Sequence, residues 1–309
     1  MVLLTKDDSR SLKGFAISII VLCHLGGYWI RYFTPLGGMG VTLFLICSGY
    51  GLEKSYEKNG LQQFWTKRIW SVFLPYAVFE ILRRYVFARV GYASIIEFVQ
   101  DVTLIKPLFG FGWYLNYLLI WYLFFYLSRL LIKNRKMQDC IGFIFSVCLL
   151  IYYVLIDGGL QIEQSFMFLF GTFLAKYDMS KIMKKKYAVL CMLIAVIALG
   201  MKQVPDVRNS TTQIMRWMDL ITKSFWGVGS VITINVFEIW QKCKSVFGVI
   251  GDISFELYLI HGFMFGLVGA HIKELGGIVL FVLGSFMGAW IYHMLWNYIR
   301  RWSDIKLDE

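Results

Sequence analysis

Of the 309 residues, 58% are hydrophobic and 18% aromatic, only 17% are charged, and the mean hydropathy is +0.61. A soluble domain of this length does not carry so many apolar runs between so few charges, so the composition excludes one and points to a polytopic membrane protein. The net charge of +11 needs no nucleic-acid partner, because the basic residues sit in short loops, as membrane topology favours.

The chain offers about ten candidate membrane spans, near 13–30, 36–52, 69–84, 109–130, 140–156, 162–176, 187–201, 218–237, 247–268 and 276–299. A spanning helix takes about 20 apolar residues, so the third, sixth and seventh are short. The expected fold is therefore all-α: a polytopic transmembrane helix bundle of about ten helices. With the N-terminus placed inside, more than twice as many Lys and Arg fall on the inner loops as on the outer ones. That bias puts both termini in the cytoplasm. Trp29, Tyr76, Trp113 and Trp296 stand toward span ends, where interfacial anchors gather.

No linker interrupts the chain, so 1–309 reads as a single integral-membrane domain with no appended soluble one, and no inverted repeat of the transporter type is evident. The outer loop from Arg83 to Gly112 is mixed in polarity, and its stretch YASIIEFVQDV predicts an interfacial helix. Asn209-Ser210-Thr211 fits a glycosylation sequon by letter, a match that chance supplies often. The six cysteines, Cys23, Cys47, Cys140, Cys148, Cys191 and Cys243, form no C-x-x-C pair and fall mostly in apolar runs. They support neither a disulfide framework nor a metal site.

Ionisable residues inside apolar runs are costly and mark candidate sites. The first is His24, eleven residues after Lys13. At ~1.5 Å per residue this is roughly 16 Å along a helix, near the middle of a ~30 Å hydrocarbon core. The plainer reading is a histidine satisfied by a neighbouring helix. Glu80 in the third span and His261 in the ninth, after Tyr258, are further candidates. Asp219 and Lys223 are four apart and predict a structural pair on one helix face. Gly38, Gly40, Ser48, Gly49 and Gly51 permit close backbone approach by a helix or a slender ligand, and Gly284 with Gly288 predicts helix packing. Pro75 must free a backbone carbonyl in the third span, with a kink or a cavity contact as the result. Trp113, Tyr114 and Asn116 open the fourth span, where they suit either a sugar ring or the aromatic belt.

Lys13 with His24, GVTLFLICSGYG from Gly40, KRIWSVFLPY from Lys67, WYLNYLLIWYL from Trp113 and ISFELYLIH from Ile253 to His261 stand in one order along nearly the whole chain. This ordered set resembles the integral-membrane acyltransferase-three family, whose members are O-acyltransferases of surface and secreted carbohydrates. The family's usual first-helix signature has Arg where Lys13 stands, a change that keeps the charge. The resemblance implies an O-acetyltransferase of the plasma membrane. Its donor is acetyl-CoA or another acyl-CoA from the cytoplasm, and its acceptor is a hydroxyl of a cell-envelope or exported carbohydrate, or of a lipid-linked glycan. Under it, His24 serves as general base or acyl carrier. Lys13 orients the donor or supports the histidine, and Lys67 and Arg68 hold CoA phosphates at a cytoplasmic mouth. Ser48 lies beside the pantetheine arm, and Trp113, Tyr114, His261 and Glu80 contact substrate. A multi-pass exporter without acyl-transfer chemistry accounts for the spans and the buried ionisable groups equally well, but not for the ordered blocks.

Overall fold

The computed structural model describes residues 4–208 and 212–302. Among them only helices and turns occur, with no strand. The sequon at Asn209-Ser210-Thr211 lies outside the described residues.

The principal helices are α1 (Lys6–Gly26), α2 (Pro35–Asn59), α3 (Phe64–Arg68), α4 (Leu74–Leu82), α5 (Ile95–Val102), α6 (Trp113–Leu131), α7 (Arg135–Leu155), α8 (Gly159–Ile162), α9 (Met167–Lys176) and α10 (Lys185–Met201). They are followed by α11 (Pro205–Arg208), α12 (Thr212–Val236), α13 (Ile239–Asp252), α14 (Ser254–Val268) and α15 (Leu275–Trp302). By length and apolarity, four described stretches suffice to cross a membrane: Pro35–Asn59, Gly110–Leu131, Arg135–Leu155 and Leu275–Trp302. A fifth is reached if Ile214–Val236 and Ile239–Asp252, which meet at a 110° bend, form one broken span. This is a helical membrane protein. Among the differences between the expected spans and the helices, three break or shorten a span. The stretch 162–176 is divided between α8 and α9, 247–268 is interrupted at Ile253, and the first helix ends at Gly26, where the pair Gly26-Gly27 stops it.

The chain forms two compact units, each built from separate stretches. The first comprises Met1–Cys23, Tyr32–Gly60 and Ser128–Asp252. Here α2 and α9 cross backbone to backbone. A Cβ on Gly49 would collide with the carbonyl of Phe168, and one on Gly171 with the carbonyl of Ile46. The same device joins α1 to α13, with Gly14 against the Phe247 carbonyl and Gly251 against that of Arg10. Gly40 meets the carbonyl of Ala16, whereas Gly51 has open space around it. Gly40 and Gly49 thus serve helix packing.

Buried charges in this unit are paired. Lys223 joins Asp219 at 2.5 Å and Glu163 at 3.0 Å, and Lys202 joins Asp219 at 2.6 Å. The expected i,i+4 pair is therefore part of a larger network, which a bilayer or core environment requires of such groups. Arg129 meets Glu53 at 2.5 Å, and Lys176 meets Asp139 at 2.6 Å.

The second unit comprises His24–Arg31, Leu61–Leu127 and Ile253–Glu309. Between Phe64 and Ala88 the helix alternates α and π turns, with π segments at Ile69–Phe73 and Arg83–Ala88. In the first of these the Leu74 amide bonds to the carbonyl of Ile69. The carbonyl of Trp70 would next look to residue 75, but that is proline and has no N–H. The indole of Trp296 on α15 donates to it at 3.1 Å, and the hydroxyl of Tyr292 donates to the Pro75 carbonyl at 2.6 Å. The carbonyl freed by Pro75 is thus taken by a neighbouring helix.

Gly288 and Gly284 on α15 pack against Ile260 and Met264 of α14, as their spacing predicts. Glu256 and His293 bond across the same pair of helices at 2.9 Å. The expected interfacial helix is α5. Ser94 caps it by accepting from the Glu97 amide, Glu97 accepts from the Ala93 amide, and Ile95, Ile96 and Val99 are exposed. Trp29 is exposed as an anchor should be, but Tyr76 and Trp296 are buried. Both act as internal hydrogen-bond donors rather than belt residues.

Candidate active site

His24 sits in the last turn of α1, half-buried, rather than at mid-helix. Its ring packs against Phe111 at 4.9 Å, Phe265 at 5.1 Å and the second histidine, His261, at 5.3 Å between ring centres. His261 comes from α14, one turn before Phe265 on the same helix, so α14 presents both to the end of α1. The turn Gly110–Gly112 brings Phe111. It is fixed from both sides. The hydroxyl of Tyr258 donates to the Phe111 carbonyl at 2.6 Å, and Gly262 lacks the Cβ that would strike the Phe109 and Phe111 rings.

His261 is fully buried. Its Nδ1 stands 2.8 Å from the carbonyl of Leu257. A carbonyl can only accept, so Nδ1 carries the proton and Nε2 of the neutral ring is a lone-pair acceptor. That Nε2 has no hydrogen-bond partner among the described residues. Buried polar atoms are seldom left so, and sites of chemistry are where exceptions gather.

Beside this pair lies a chamber of about 350 Å³, lined by Phe109, Phe111, Gly262, Phe265 and Gly266 with Arg83. A second, almost wholly apolar cavity of about 250 Å³ lies between α4, α14 and α15, and shares Arg83, Phe87 and Phe263 with the first. Arg83 is held by Glu80 in a two-point contact, Nε to Oε2 at 2.7 Å and a terminal nitrogen to Oε1 at 2.5 Å. Glu80 therefore acts on the chamber through Arg83, and its own carboxylate is occupied. Asp101 accepts from the hydroxyls of Tyr76 and Tyr92, both at 3.0 Å, and from the Leu108 amide at 2.8 Å, which secures the loop entering the chamber. Asn116 donates to the carbonyls of Leu104 and Ile105, where Leu104 adopts a positive φ of 62°. Asn116 thereby braces this loop. Tyr114 is buried edge-on to Tyr258 at 5.4 Å, and Trp113 is half-buried beside it.

Lys67 and Arg68 are neighbours on α3 in the same unit. Arg68 donates to the Phe64 carbonyl at 3.2 Å and lies 4.5 Å from the Phe64 ring centre and 5.9 Å from that of Tyr122. Lys13 and Ser48 belong to the first unit, each half-buried on its helix. Sequence reasoning missed Phe111, Phe265 and Arg83. The aromatic residues are lost among many others, and only the i,i+3 spacing of Glu80 and Arg83 carried a signal.

A helix bundle that sets two histidines together, packed on Phe111 that also lines a chamber, is equipped for proton transfer to or from a hydroxyl. The family model described as an acyltransferase domain, that of the acyltransferase-three family, matches residues 9–294, and the chain belongs to that family. The protein is thus a membrane acyltransferase. No curated protein and no solved structure matches the chain.

Proposed function

We propose that the protein is a plasma-membrane O-acetyltransferase of about ten spans with both termini in the cytoplasm. It transfers acetyl from cytoplasmic acetyl-CoA to a hydroxyl of a cell-envelope or exported carbohydrate or its lipid-linked precursor. The observation that carries this reading is the His24 ring, set between Phe111, Phe265 and His261 beside a chamber of about 350 Å³, in a chain of an acyltransferase family.

His24 takes the proton of the acceptor hydroxyl as its oxygen bonds to the thioester carbon. The tetrahedral intermediate then expels the CoA thiolate, the C–S bond breaks, and His24 returns the proton to sulfur. Lys13, Lys67 and Arg68 supply positive charge for the phosphates of CoA, and Ser48 adjoins the pantetheine arm. The chamber receives the acceptor. Its Phe109 and Phe111 faces suit the apolar face of a sugar, and Trp113 and Tyr114 are further candidate contacts. The test is mass spectrometry of surface glycans from cells with and without the protein. An acetyl-sized increment that depends on the protein is expected, and unchanged glycans contradict the proposal.

A further inference from the structure

We infer that His261 is the positioning residue that fixes the tautomer of His24. The inference rests on the reading of His24 as the base. Because Nδ1–H of His261 is committed to the Leu257 carbonyl, its Nε2 can only accept. It is buried, and none of the described side chains or backbone amides donates to it. The nearest ring able to donate is His24, whose centre is 5.3 Å away and whose plane is inclined by 36°. Two imidazoles joined by an N–H···N bond of about 2.9 Å, with about 1.2 Å from each nitrogen to its ring centre, stand about 5.3 Å apart. The separation is therefore already that of a bonded pair, and a swing of the His24 ring about χ2, a soft torsion for histidine, closes it.

The consequence is chemical. The His24 nitrogen turned to His261 must carry hydrogen, so its other nitrogen bears the lone pair that removes the hydroxyl proton. When the imidazolium forms, the N–H given to His261 strengthens, since a charged donor bonds more strongly than a neutral one. Phe111 and Phe265 both pack edge-on against the His24 ring and limit the directions in which it can turn.

Two amide replacements separate this role from mere packing. An asparagine amide reaches about as far as Nδ1 and can keep the bond to Leu257. A glutamine amide reaches about as far as Nε2 and can offer an acceptor to His24. Purified His261→Asn, His261→Gln and His24→Ala proteins are compared with the unmodified one in detergent, first for acetyl-CoA binding and thermal stability and then for acetyl transfer. His261→Asn is expected to lose ~10²-fold or more in kcat with KM for acetyl-CoA unchanged, and His261→Gln to stay within about tenfold of the unmodified enzyme. Equal losses in both amide variants, or full activity of His261→Asn beside an inactive His24→Ala, overturn this inference alone. A fully active His24→Ala overturns the reading of His24 as base, and this inference with it. If His261→Asn does not fold, the inference stands or falls on His261→Gln, which must remain active.

Discussion

The indole N–H of Trp296 donates to the carbonyl of Trp70, the acceptor that Pro75 leaves without a backbone partner. A π turn and a proline together create the vacancy, and a side chain 226 positions away in sequence fills it. The bond ties α15 to the helical run that carries Glu80 and Arg83.

Replacing Trp296 with Phe keeps the ring but leaves that carbonyl unsatisfied in an apolar setting. The expected cost is about 1–3 kcal/mol. Thermal denaturation of the purified protein in detergent reads it as a lower midpoint, and a Trp296→Phe protein as stable as the parent contradicts the role given to the bond.

The crossing of α2 and α9 depends on Gly49 and Gly171, each facing a carbonyl of the other helix. Gly49→Ala and Gly171→Ala force the helices apart, and overpacking of this kind costs about 1–3 kcal/mol or more. Each is expected to reduce the folded, monodisperse fraction on size exclusion. Gly51→Ala, with open space at its Cα, is expected to leave that fraction unchanged.

Asp8, outside the spans, pairs with Lys244 at 2.7 Å. Partial burial raises its carboxyl pKa, but bonds from Lys244 and from the Thr5 hydroxyl and amide outweigh this and hold it below its ordinary 3.8. A depressed folded-state pKa stabilises the protein above the unfolded value and loses that contribution as pH falls through the folded one. Unfolding midpoints measured from neutral pH to below pH 4 should therefore fall more steeply for the unmodified protein than for Asp8→Asn. Parallel curves exclude the pair as a contributor to acid lability.

Much of the helical architecture was legible in the sequence because apolar run length is a strong signal in a membrane chain. Helix lies wherever a span was expected, and the pairing of Asp219 with Lys223 followed from their spacing. Boundaries were less legible. The stop at Gly26 moved His24 from mid-helix to the last turn, and the interruption at Ile253 divided the ninth expected span. Of the candidate site, His24 and His261 stood out as ionisable groups in apolar runs, but nothing in the sequence placed them side by side. That juxtaposition depends on the tertiary path of α14 and on the turn that carries Phe111. Trp296 misled because an aromatic residue near a span end reads alike whether it faces lipid or an orphaned carbonyl.

The central claim is that His24 performs the proton transfer of acyl transfer. Its most direct test is the rate at which the purified His24→Ala protein passes acetyl from labelled acetyl-CoA to a carbohydrate acceptor, measured together with acetyl-CoA binding. The account predicts a fall of ~10²–10⁴-fold in the transfer rate, with folding and acetyl-CoA affinity retained. Transfer at the unmodified rate contradicts it.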